Sequence, residues 1–394
     1  VHQILVLGVE APAGLSQSAE KADLLPRIPL LRHLPRADIR AGLRGVADLT
    51  QVVQGRLLHD RLIERGHQAA PLSALDAITE AQKIAFAPML FQACWSLRET
   101  GLLAYLDTHT QGVTVEQAAT ACHLTPYSVG VLFDMGVSGQ VLRQQEDRYL
   151  LDKVGHFLLH DPMTRINMEF SQHVCYQAMG HLLAAIREGQ PAGLSVFGDW
   201  PTIYPALSQL PEPARQSWFD FDHYYSDRAF AAALPHILAL KPRHLYDVGG
   251  NTGKWALTCA KADPALQITL LDLPEQLALA RKNIEAAGVA DRVRGHAVDL
   301  LQATTLPGDA DIWWMSQFLD CFSLEQITAI LTLIRRSMKP DARIAILELF
   351  PDRQSFPAAS FSLNATSLYF TTLANGNSRF YPSADLLLCL EQAG

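Results

Sequence analysis

The sequence predicts an α/β protein whose C-terminal part is a doubly wound parallel sheet, and three observations predict it. From Pro242 onward, apolar runs of strand length (245–248, 268–271, 293–298, 312–315 and 344–347) alternate with helical patterns, which puts helices on both faces of a parallel sheet. The first run feeds a glycine-rich turn, Asp247-Val-Gly-Gly-Asn-Thr-Gly253. Aspartates stand at the ends of the first three strands, at 247, 272 and 299, and such sheets bind ligands at the strands' carboxyl ends.

The turn is the most informative of the three. Gly249, Gly250 and Gly253 let the backbone bend sharply and approach a ligand that a Cβ would push away. The spacing is Asp-x-Gly-x-x-x-Gly and not the G-x-G-x-x-G of a dinucleotide site, and a carboxylate placed before the glycines repels phosphate. A ligand bearing positive charge fits better, and S-adenosylmethionine, with its sulfonium and amino groups, is the expected cofactor. Asp272 stands roughly 20 residues after the turn, where a carboxylate takes ribose hydroxyls. Asp299 is placed to face the adenine amino group; each aspartate taken alone is more often a helix cap or solvated turn, and it is the three in register that point to a site.

With 394 residues the chain is long enough for two or three domains. Its formal charge of −8, without a basic block, gives no electrostatic reason to bind nucleic acid or an anionic membrane. No apolar run approaches the ~18 residues of a membrane span, and 4–9 lacks the basic start and length of a signal segment. Six cysteines lie scattered without C-x-x-C or zinc spacing, which reads as a reduced, cytoplasmic compartment. His156 and His160 lie four apart beside Asp161, but the sequence offers no third ligand at useful spacing and an interfacial helix face explains them as well, so no metal is expected.

Residues 1–75 form an extension of unassigned role, with a strand-like run at 2–9 and a helical pattern at about 37–65. Apolar residues at helical spacing predict an amphipathic helix over 76–106. Thr114 caps a helix through 122, Thr125 with Pro126 opens another over 127–135, and 141–151 alternates like a small hairpin wing. This winged-helix pattern suggests a DNA-binding regulator, yet residues 110–140 contain no Lys or Arg. A dimer interface using Val129, Val131, Leu132 and Phe133 is the better reading. Residues 162–240 read as mainly helical, with an aromatic and acidic cluster at 218–227.

From residue 76 onward this order of parts resembles the S-adenosylmethionine-dependent small-molecule O-methyltransferases that carry a winged-helix dimerisation domain. The residues that carry the resemblance are Asp247-Val-Gly-Gly-Asn-Thr-Gly253, Asp272-Leu-Pro274, Asp299 and Trp313-Trp-Met-Ser-Gln-Phe-Leu-Asp-Cys-Phe-Ser323. It implies a class I methyltransferase fold, a homodimer, and domains at 76–165 (dimerisation), 166–240 (linker and acceptor pocket) and 241–394 (cofactor binding and catalysis). It also implies cofactor contacts from Asp247, Gly249, Gly250, Asn251, Gly253, Asp272, Leu273, Asp299, Leu300 and Ser316. Plant members read Met-Lys-Trp-Ile-Leu-His-Asp-Trp-Ser with the histidine as base; here Asp320 stands at the histidine and Ser316 at the lysine. Glu348 matches the family's supporting glutamate and Asp385 its second carboxylate.

The expected reaction is methyl transfer to a hydroxyl of a small aromatic or polyketide-like acceptor. A phenol of pKa ~10 needs a base, worth roughly 10²- to 10⁴-fold. Asp320 is that base if burial beside Glu348 raises its pKa, with His223 as the substitute; otherwise Asp320 caps the helix at Ser323 and His223 is satisfied by Asp220 or Asp227. The changed base leaves open C- or N-methylation, or another use of the cofactor. The chain begins at Val1 and not Met, and it stops where family members add two strands. It therefore reads as a piece or a permuted order, in which residues 2–9 pair with the sheet.

Overall fold

The computed structural model describes residues 3–9 and 72–394. They form two compact units, residues 72–171, and residues 3–9 together with 172–394. Strand β1 is Gln3–Val9. The helical pattern expected at 37–65 lies outside the described residues.

In the first unit the single helix expected over 76–106 is three helices, α1 (Ala74–Ala85), α2 (Ala87–Glu99) and α3 (Leu102–Asp107). Pro88 in the first turn of α2 lacks the N–H a continuing helix would use, and Gly101, at φ 80°, makes the second break. Helix α4 (Val115–Ala121) starts at a capping box of Thr114 and Gln117, and α5 (Pro126–Ser138) at Thr125, whose hydroxyl accepts from Ser128 N–H. An antiparallel hairpin, β2 (Leu142–Gln145) and β3 (Arg148–Leu151), follows, then α6 (Lys153–His160) and α7 (Pro162–Phe170).

Leu97, Leu102, Leu103, Ala118, Val129 and Phe133 are buried in this unit's core. Two of the four side chains assigned to a dimer interface, Val129 and Phe133, are therefore interior. They point inward because α4 and the hairpin pack on that face of α5, which leaves Tyr127 and Val131 exposed.

The second unit opens with short π and 3-10 turns around α8 (Leu182–Glu188), then the 25-residue α9 (Ala214–Leu238). Strand and helix then alternate as the sequence predicts: β4 (His244–Val248), α10 (Lys254–Ala262), β5 (Gln267–Asp272), α11 (Pro274–Ala286), β6 (Val293–Ala297), β7 (Ile312–Ser316), α12 (Leu324–Ser337) and β8 (Arg343–Leu349). Helices α13 (Pro357–Tyr369) and α14 (Ser383–Ala393) follow.

The strands form one parallel sheet in the order β1-β8-β7-β4-β5-β6. From the run expected to pair with the sheet, residues 3–9 do so, in register from Gln3 opposite Arg343 to Val9 opposite Leu349. The chain winds outward from β4 through β5 to β6, then crosses back to β7, so the topological switch point and its crevice lie beside β4.

Both faces of the sheet are filled by large side chains. Trp314 of β7 stacks on Trp255 of α10 with ring centroids 4.1 Å apart. On the other face Trp313 meets the edge of Tyr246 at 4.7 Å, over Ile327, Ile330, Leu331 and Ile334 of α12. Truncating either tryptophan to Ala would cost about 3–5 kcal/mol, so the strand ends that carry the aspartates rest on a rigid base.

Candidate active site

The turn after β4 is built around two glycines. Gly249 has φ 71°, and a Cβ there would lie 2.1 Å from Phe318 Cδ2; at Gly250 it would lie 2.8 Å from Asp247 Oδ2. Asn251 also sits in the left-handed region, φ 49°, where short polar side chains are tolerated. Its N–H donates to Asp272 Oδ2 at 2.8 Å, while Leu273 N–H donates to Asp272 Oδ1 at 2.7 Å. One carboxylate thus ties the loops after β4 and β5 together. Gly253, φ 80°, precedes the first residue of α10.

Asp247 is 2% exposed, and its Oδ2 has no hydrogen-bond partner among the described residues. Burial, reinforced by the charge of Asp272, pushes Asp247 up to about 8. Burial also raises Asp272 to about 6, opposed by its two backbone N–H donors. A cation above the turn would favour ionisation of Asp247 and pair with its orphaned oxygen, whereas a phosphate would not, so these residues fit S-adenosylmethionine. Asp299 is exposed, and its Oδ1 accepts from Leu301 N–H at 2.9 Å in a local turn; Leu300 packs on the core. Ser316 ends β7, with its Oγ buried and without a partner among the described residues.

The loop after β7 is held from β8. Glu348 Oε1 accepts from Phe318 N–H at 3.0 Å and Leu319 N–H at 2.9 Å, and Gln317 N–H donates to Leu347 O at 2.8 Å. Asp320 follows, buried, in a 3-10 turn. The cap of α12 is Ser323, in a capping box with Gln326, so the helix-cap reading of Asp320 is wrong. Burial pushes Asp320 up to about 7; the Cys321 thiol, 3.5 Å from Oδ1, draws it down, and the charge of Asp222 raises it again. Glu348 is driven well up, first by burial and then by Asp320. Two buried carboxyls in one site make ionising both at once unfavourable, so each favours the other's protonated form.

The other two candidate groups stand differently. His223 stacks on Phe219, ring centroids 6.2 Å apart, and the α9 carboxylate that bears on Asp320 is Asp222. Asp385 lies in the first turn of α14. Asp222 Oδ2 also accepts from Asn251 Nδ2 at 3.1 Å, which places it between the glycine turn and Asp320. Sequence reasoning passed over it, although Trp218 and Asp222 lie four apart and share a face of α9. Trp218 Nε1–H donates to Tyr369 Oη at 2.6 Å, and Asn375 Nδ2–H to Cys321 O at 2.6 Å; no sequence signal marks these partners, 151 and 54 residues away.

Residues 231–392 match the family model described as an O-methyltransferase domain, and residues 79–149 match a Dimerisation2-like domain. The L-tyrosine C(3)-methyltransferase of Streptomyces lavendulae is 23% identical over 315 residues, 79% of this chain and 85% of that protein. The O-demethylpuromycin-O-methyltransferase of Streptomyces alboniger is 28% identical over 52% of this chain and 54% of its own length. Among solved structures, the S-adenosylmethionine-dependent methyltransferase SibL superposes with a TM-score of 0.60 at 25% identity, over 79% of this chain and 91% of that one. The chain belongs to the S-adenosylmethionine-dependent small-molecule methyltransferases with an N-terminal dimerisation domain. Its fold is the class I methyltransferase fold.

Proposed function

We propose that this protein transfers the methyl group of S-adenosylmethionine to a hydroxyl of a small aromatic or polyketide-like acceptor, with Asp320 as the base. The observation that carries this reading is Asp320 itself, a buried carboxylate raised to about 7 at the site where the cofactor crevice meets the aromatic residues of α9. The cofactor supplies an electrophilic methyl on sulfur. Asp247, Asn251 and Asp272 hold its charged and ribose groups, and Asp299 and Leu300 flank its base. Trp218 and Tyr369 wall the acceptor, and ionised Asp320 takes the hydroxyl proton as the oxygen–carbon bond forms. Glu348 holds the loop that positions Asp320.

In this reading residues 76–165 dimerise, 166–240 line the acceptor pocket and 241–394 carry the cofactor. A homodimer is supported by α1, which buries none of its own residues and exposes Leu75, Ile78 and Ile84, continued by Phe86 and Met89. Six free cysteines and the absence, among the described residues, of any helix long and apolar enough to cross a membrane support work in a reducing cytoplasm. The regulator reading finds no support in α5, whose outward side chains include Tyr127 and Val131 but no Lys or Arg.

The test is turnover of labelled cofactor with a panel of phenols. Asp320→Asn should lower kcat by roughly 10²- to 10⁴-fold with cofactor affinity unchanged; full activity in that variant sinks the assignment. The replaced family histidine favours a second reading, methyl transfer to carbon or nitrogen. Label recovered at a C or N position of the product would establish it.

A further inference from the structure

The unit formed by residues 72–171 brings together a group of side chains that methyl transfer does not use. Helix α6 places His156 and His160 one turn apart, and the last residue of α3, Asp107, reaches both. His160 Nε2 lies 2.8 Å from Asp107 Oδ2, His156 Nδ1 lies 3.6 Å from Oδ1, and the two rings are 4.5 Å apart. One potential ligand atom from each residue lies within 4.8 Å of the other two. We infer that Asp107, His156 and His160 form a binding site for a divalent transition metal, with zinc as the ion it suits.

The sequence pointed to the two histidines but supplied no third ligand, because Asp107 is 53 positions from His160 and only the packing of α3 on α6 joins them. Asp161, the neighbour in sequence, is already committed as the cap of α7, where its Oδ2 accepts from Thr164 N–H at 2.8 Å and Thr164 Oγ1–H at 2.7 Å. Two imidazoles and a carboxylate are zinc ligands at about 2.0–2.2 Å, which puts tetrahedral ligand atoms roughly 3.5 Å apart. Side-chain rotation brings the present spacing to that, opening the 2.8 Å His160–Asp107 pair and leaving the 3.6 Å His156–Asp107 pair nearly as it is, and all three side chains are 31–55% solvent-accessible and so have room to turn. Water completes the shell.

A plain ion pair would need one imidazole. Here both rings converge on the two oxygens of one carboxylate, the arrangement a shared cation uses. Because the ligands come from two helices, the bound ion ties α3 to α6, so metal binding and folding of this unit are coupled. The inference is independent of the proposed reaction, since every residue in it lies in the 72–171 unit.

The test is titration of the EDTA-dialysed full chain with Zn²⁺ by calorimetry and by competition against a chromophoric zinc chelator. Expected are one equivalent bound at roughly micromolar Kd or tighter, and a rise in Tm with excess zinc. Asp107→Asn, and separately His156→Ala with His160→Ala, should each weaken binding at least ~10-fold, with the far-ultraviolet circular dichroism unchanged, while substitution of a histidine outside the 72–171 unit, His181→Ala in the 3-10 turn before α8, leaves binding intact. In the Cu²⁺-loaded protein, nitrogen couplings in the paramagnetic resonance spectrum should disappear with the double histidine substitution. No saturable binding below ~100 μM zinc, or binding that survives both sets of substitutions, overturns the inference.

Discussion

Replacing Glu348 by Gln and by Ala separates what its hydrogen bonds do from what its charge does. The side chain is 3% exposed; Oε1 accepts two backbone N–H groups, and Oε2 has no partner among the described residues. Ala leaves the N–H groups of Phe318 and Leu319 without an acceptor. Each orphaned donor costs about 1–3 kcal/mol, so the pair costs about 2–6 kcal/mol before the vacated space is counted.

Gln retains the accepting oxygen. Burial, and then Asp320, drive Glu348 well above the usual carboxylate range, which favours the neutral form, and that form carries a hydrogen where Gln carries its amide. Glu348→Gln should therefore change stability by under about 1 kcal/mol. Urea unfolding at pH 7 with a constant m-value is the assay. If Gln proves as destabilising as Ala, the charge of the carboxylate holds the loop, and the burial argument for a neutral Glu348 fails.

Gly249→Ala forces a side chain into the left-handed region at about 1–2 kcal/mol, and its Cβ displaces Phe318, so calorimetry should show S-adenosylmethionine affinity reduced at least ~10-fold. A change under twofold would mean the turn does not contact the cofactor. Asp222→Asn keeps an acceptor for Asn251 but removes a charge that raises Asp320, so the acidic limb of the pH–kcat profile should move to lower pH; an unmoved limb counts against Asp320 as the titrating base. Asp247 is raised to about 8 when folded and titrates near ~3.9 unfolded. Between those values the folded chain holds a proton the unfolded chain has released. The contribution of Asp247 to stability is thus whole below about pH 4 and is lost as pH rises through about 8, at up to about 1.4 kcal/mol per pH unit. Urea melts from pH 5 to 8 should show wild type losing stability relative to Asp247→Asn as pH rises, and a constant difference refutes the burial argument.

The parts legible in the sequence are those whose physics is local. Thr114 and Thr125 announce helix starts because a cap needs only a hydroxyl and the next three residues. Gly249 and Gly250 announce a turn because the bend lies within the motif, and the five strands from β4 to β8 were visible as apolar runs between helical patterns. Errors arose where the deciding partner was distant. Val129 and Phe133 read as interface residues because their apolarity does not say what covers them, and Asp320 read equally as cap or base because its own neighbourhood does not say how deep it lies.

The order of residues along the chain alone determined the alternating α/β pattern, the cofactor turn and the family to which they point, since each is assembled from short runs whose signals are local. Only the tertiary structure decided that Asp222, Asp320 and Glu348 act on one another, that residues 3–9 pair with β8, and that Asp107 meets His156 and His160. Those juxtapositions depend on loop closure across tens to hundreds of residues, and the raised carboxyl pKa values depend on exclusion of water. Both are properties of the packed interior, and no short window of sequence contains them.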